Sequence, residues 1–90
     1  MSSGGQDFEV RIGPPRLTRF ERARIIGARA LQLSLGAPPL IPPSSIRTRS
    51  TIEVARTELD SGALPISIRR SLPSGAYQDI PIQALLRRQA

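Results

Sequence analysis

The chain has 90 residues, 13 basic and seven acidic, for a formal net charge of +6, and contains no cysteine or histidine. A domain of this length buries only roughly 60% of the surface its unfolded chain exposes, so one thin-cored domain is the upper bound, and a partner surface is expected to complete the burial. Without thiols or imidazoles there is no disulfide, no zinc or soft-metal constellation and no histidine base, which excludes the commonest catalytic sites.

Residues 1–16 carry Gly, Ser, Gln and the pair Pro14-Pro15 with few large apolar groups, so they are expected to form a flexible N-terminal tail ahead of a domain over 17–90. Thr18 with Glu21 forms a capping box that opens a helix expected to run to Leu35, where Gly36 and Pro38-Pro39 stop it. On a helical wheel Phe20, Ala23, Ile26, Gly27, Ala30, Leu31, Leu33, Ser34 and Leu35 fill an arc of about 200°. That arc is too wide for one contact. Glu21, Arg22, Arg29 and Gln32 stand opposite with Ile25 among them, and Arg24 sits inside the apolar arc. Ala23, Gly27, Ala30 and Ser34 make a narrow stripe of small side chains that lets another backbone approach closely. A mid-helix glycine costs about 1 kcal/mol relative to alanine, so Gly27 is expected to have a packing reason, in a partner or in the chain's own second helix.

A proline-stiffened connector follows, with Pro38, Pro39, Pro42 and Pro43, ending in Arg47-Thr48-Arg49. Ser50 with Glu53 opens a short second helix, in which Ile52, Ala55 and Leu59 share a face, Arg56 precedes Asp60 at i,i+4, and Gly62 closes the element. The spacing then becomes alternating. Leu64, Ile66 and Ile68 point one way while Ser67 and Arg69 point the other, as in a strand with one buried face. Leu72-Pro73-Ser74-Gly75 fits a turn, and Ala76 to Ile80 returns antiparallel, placing Asp79 near Arg69-Arg70. Tyr77 reads as a cross-strand packing residue. A short helix is expected over Pro81 to Arg88. The fold class is α+β: a long first helix, a short second helix, a β-hairpin and a short C-terminal helix.

The seven acids are spread over different elements, so an acid–base pair would need the fold to join them, and no phosphate loop follows Gly4-Gly5. No catalytic residue, cofactor or metal is expected. The charge admits a free-standing nucleic-acid-binding module as the alternative function. Against it, all 13 basic residues are arginine and only Phe8, Phe20 and Tyr77 are aromatic, too few for a base-stacking platform. Arginine pairs bidentately with protein carboxylates as readily as with phosphate. Arg69 and Arg70 are candidates for such a grip on a partner, with an ordinary cross-strand ion pair to Asp79 as the other reading. No apolar run approaches the roughly 20 residues of a membrane span, and the start of the chain lacks a secretory signal pattern, so a soluble, cytoplasmic protein is expected.

The run Leu17-Thr18-Arg19-Phe20-Glu21-Arg22-Ala23-Arg24-Ile25-Ile26-Gly27-Ala28-Arg29-Ala30-Leu31-Gln32-Leu33-Ser34, with Gly36-Ala37-Pro38-Pro39 after it, resembles the signature of the archaeal RNA polymerase subunit K family. That family is similar to the subunit shared by the eukaryotic nuclear polymerases and to bacterial omega. Leu64-Pro65-Ile66-Ser67-Ile68-Arg69-Arg70 and Leu72-Pro73-Ser74-Gly75 match its second block, so the likeness spans about residues 17–86. Ser50-Thr51 and Pro81 depart from the family's usual helix starts. The resemblance implies an omega-like fold and a non-catalytic subunit that embraces the C-terminal region of the largest polymerase subunit and favours assembly. Catalysis and magnesium would then belong to the large subunits, and nucleic acid would be met at most indirectly through the complex. The interface residues expected are Ala23, Arg24, Gly27, Ala30, Ser34, Arg69 and Arg70.

Overall fold

The computed structural model describes residues 8–46 and 50–86. They form α1 (Arg19–Ser34), a 3-10 turn (Pro43–Ser45), α2 (Thr51–Asp60), β1 (Ser67–Ser71), β2 (Tyr77–Pro81) and α3 (Ile82–Leu86). The chain divides into two compact units: a helical unit, Arg19–Leu64, and a hairpin unit built from the segments on either side of it.

In the helical unit, α1 ends one residue before the expected Leu35. Gly36 turns left-handed at φ 105°, which lets Gly36 N–H reach the Leu33 carbonyl and Ala37 N–H reach that of Gln32, satisfying carbonyls the helix leaves bare. α2 closes in the same way at Gly62, with Ala63 N–H on the Glu58 carbonyl. At its start the Ser50 hydroxyl accepts the Glu53 N–H, as the capping box requires. The buried face of α2 is Val54, Ala55, Glu58 and Leu59. Ile52, expected to share that face, is half exposed; it lies in the first turn, two residues before the buried patch begins at Val54. Arg56 pairs back to Glu53 rather than forward to Asp60, which is taken by Arg22 of α1. The expected basic run at 47–49 lies outside the described residues.

In the hairpin unit, β1 and β2 pair antiparallel with Arg69 opposite Asp79 and Arg70 opposite Gln78. The turn is the expected one: Gly75 N–H donates to the Leu72 carbonyl at 2.9 Å across Pro73-Ser74. β2 begins at Tyr77 and takes in Pro81, and α3 starts after it, burying Ile82, Ala84 and Leu85. Arg87 and Arg88, expected at the helix end, lie outside the described residues.

Residues 8–16, expected in the tail, are an arm tied to the hairpin. Arg70 donates to the carbonyls of Ile12, Pro14 and Arg16. Gln78 accepts from Arg11 N–H and Ile12 N–H and donates to the Glu9 carbonyl. The arm bends at Gly13, whose φ of 79° and lack of a side chain admit the Arg70 guanidinium; a Cβ there would meet its Nη1 at 2.9 Å. Polar side chains do the tethering, which is why a search for apolar residues in 1–16 reads only a tail. Residues 1–7 lie outside the described residues.

Candidate docking surface

One face of α1 is turned toward α2, where Arg22 and Arg29 reach across to Asp60 and Glu58. Glu58 is the node of this contact. Its side chain is fully buried and accepts from Arg29 Nη2 at 3.1 Å, from Arg29 Nε and from the Leu40 N–H at 2.7 Å. Burial pushes the Glu58 carboxyl up, but the Arg29 guanidinium and the Leu40 N–H outweigh it and hold the group below the usual glutamate range. Arg29 also donates to the Pro38 carbonyl, so one guanidinium fixes both α2 and the start of the connector.

The opposite face of α1 is apolar and open. Phe20, Leu31 and Leu35 are 83%, 61% and 79% exposed, and they lie within about 60° of one another on the helical wheel. Arg24, Gly27 and Ala28 are exposed as well. Bordering this face is a groove of about 370 Å³, floored by Ala23, Ile26, Gly27 and Ile52 and rimmed by Arg19, Arg22 and Arg56.

The expected interface residues part company here. Ala23 and Gly27 meet in the groove. Arg24 is exposed beside it, and Ser34 is exposed at the end of α1 with its hydroxyl on the Leu31 carbonyl. Ala30 is only 7% exposed, so at that position the small-residue stripe is covered within the chain itself. Arg69 is exposed, bidentate to Asp79 and 4.2 Å over the Tyr77 ring, and it holds the Asp79 carboxyl below its usual range. Arg70 corrects the expectation of a partner-facing side chain: it is buried and spent on the arm. The alternation itself carried that signal, since residue 70 has the parity of Ile66 and Ile68 and Gln78 that of Ile80. Glu58 and Arg29 had no such local mark, because their pairing joins residues far apart in sequence.

Among the described residues no group of acids could hold a metal ion, and no helix is long and apolar enough to cross a membrane. What sets this surface apart is a large exposed apolar helix face next to an arginine-rimmed groove, the mark of a small protein that binds another macromolecule. The RNA polymerase Rpb6 family model matches residues 11–66, and the chain belongs to that family. The match begins inside the arm, not after it. The chain is 52% identical over 77 residues to the DNA-directed RNA polymerase subunit Rpo6 of Aeropyrum pernix, covering 86% of each. It is 57% identical over 76 residues to the subunit of the same name from Thermofilum pendens, covering 84% of this chain and 93% of the relative. A probable DNA-directed RNA polymerases I, II, and III subunit RPABC2 from Caenorhabditis briggsae is 44% identical over 74 residues, or 82% of this chain and 52% of that protein.

Proposed function

We propose that the chain is a non-catalytic subunit of a cytoplasmic DNA-directed RNA polymerase and promotes assembly by docking onto the C-terminal region of the largest subunit. The observation that carries this reading is the open face of α1, where Phe20, Leu31 and Leu35 stand in solvent on a helix otherwise well anchored. Covering one such side chain is worth about 1.5–3 kcal/mol, so three together give a partner a strong hold even after the cost of association. Family membership and the names of the relatives supply the identity of the complex. The active site of RNA synthesis lies, on this reading, on other subunits.

The test is co-purification of the tagged chain with polymerase from its source cell. A Phe20→Ser, Leu31→Gln, Leu35→Gln variant is expected to lose at least about tenfold in retained polymerase, with an unchanged far-ultraviolet circular dichroism spectrum. Full retention by that variant overturns the docking face. A free-standing nucleic-acid module would instead shift duplex DNA alone, with steep weakening as salt rises, and the triple substitution would leave that binding intact.

A further inference from the structure

We infer that the groove between α1 and α2 receives a single large apolar side chain from an acidic segment of the partner polypeptide, with Arg19 as its electrostatic latch. This rests on the polymerase-subunit reading and adds the site and the chemistry of its occupant. Three observations converge on it.

The floor, Ala23, Ile26, Gly27 and Ile52, is apolar. At about 370 Å³ the space is near the lower end for small-molecule pockets, and its polar side chains are confined to the arginine rim, leaving the floor without a group to orient a metabolite. A protruding hydrocarbon side chain fits such a floor better. The rim, in contrast, is cationic. Arg22 is bridged to Asp60 and Arg56 to Glu53, whereas Arg19 is exposed on the first turn of α1. Residues from the opening turns of both helices line the groove, Arg19 and Arg22 from α1 and Ile52 from α2, so the positive ends of two helix dipoles add to the arginine charge. A carboxylate beside the entering side chain meets favourable potential chiefly from Arg19, since Asp60 and Glu53 already offset Arg22 and Arg56.

Gly27 supplies the third observation. It sits in the interior of α1 with ordinary helical backbone, where glycine costs about 1 kcal/mol against alanine. Beyond the helix's own adjacent backbone, nothing lies within 4 Å of where its Cβ would be. Nothing inside the molecule therefore requires a glycine there, and an occupant resting against the bare backbone does.

The experiment uses the full chain assembled into polymerase. Arg19→Glu places an acid in the first turn of α1, which a helix N-terminus favours, so it does not unfold the helix. Ala23→Trp fills the floor. Each is expected to lower retention of the polymerase at least about tenfold, through like-charge repulsion in the first case and occlusion in the second, while the thermal midpoint of the free chain holds. A photo-crosslinking p-benzoylphenylalanine in place of Ile52 is expected to capture a peptide of the polymerase bearing Asp or Glu within one helical turn of a Leu, Phe, Ile or Met. Wild-type levels of retention by both variants overturn the groove while leaving the subunit assignment standing. Crosslinks to DNA, to a second copy of the chain or to a peptide without carboxylates overturn it as well. Failure of the unmodified chain to retain polymerase removes the proposed function together with this inference.

Discussion

The two units hold themselves together by different means and leave different surfaces exposed. In the hairpin unit, buried Arg70 and Gln78 spend their polar atoms on the backbone of the arm, and among the described residues the large apolar side chains left in solvent, Leu72 and Tyr77, stand at the turn end. In the helical unit a carboxylate node joins two helices and a loop, and five large apolar side chains remain in solvent: Phe20, Leu31, Leu35, Leu40 and Ile52. The hairpin unit has turned Arg70 and Gln78 inward to finish its own fold. The helical unit makes its buried polar contact, at Glu58, on one side of α1, and the other side carries the surplus on which the docking proposal stands.

That contrast is best broken at the node. Arg29→Ala leaves Glu58 as a buried carboxylate without its guanidinium, and a loss of about 3–5 kcal/mol is expected in urea unfolding of the free chain. A smaller loss, about 2–4 kcal/mol, is expected for Arg70→Ala, which orphans carbonyls of the arm in a partly buried place. Hydrogen exchange should then quicken across the hairpin and arm before it does in α1. Arg70→Lys should recover little, since an ammonium cannot reproduce the planar fork that reaches several carbonyls at once.

The node also sets a pH response that the hairpin's carbonyl contacts do not share. Because the Glu58 carboxyl is held below its usual range in the folded chain, its contribution is present above the ordinary glutamate pKa of about 4.3 and is lost as pH falls through that value and the lower folded one. Urea midpoints measured between pH 7 and pH 3 should fall across the acid end, and Glu58→Gln should flatten the slope there while lowering stability at neutral pH. The smallest effect has the opposite sign. Gly27→Ala should stabilise the free chain by about 1 kcal/mol, read as a higher thermal midpoint, since the added methyl meets open space. In the assembled polymerase the same change should weaken retention slightly, which sharpens the distinction between what the helix needs and what its occupant needs.

How much of this was legible in the sequence follows from distance along the chain. The ends of α1 and α2 and the hairpin turn were readable because Gly36, Gly62 and Pro73-Ser74-Gly75 act on neighbours within five residues. The open apolar face was readable in kind, since an arc of about 200° exceeds what one contact covers, but the wheel could not say which part of the arc α2 would take. Ala30 went inward, and Phe20, Leu31 and Leu35 went outward. Arg29 looked like a solvated polar residue because its partner, Glu58, is 29 residues away. The arm was missed because its tethers lie 54 to 69 residues off and are themselves polar. Alternation in β1 marked residue 70 as inward, yet a charged side chain at an inward position is read as outward until its acceptors are seen.

The hydrogen bond that the Leu40 N–H donates to the Glu58 carboxylate has a practical consequence for probing the molecule. It fastens the connector just before Ile41, which is itself buried, whereas the exposed 3-10 turn beyond carries no side-chain cap. Ser44, exposed and carried on a single 3-10 turn, is therefore the place to graft a fluorophore or an epitope loop. A reporter there could follow the subunit through successive rounds of complex formation without touching the greasy side of the long helix.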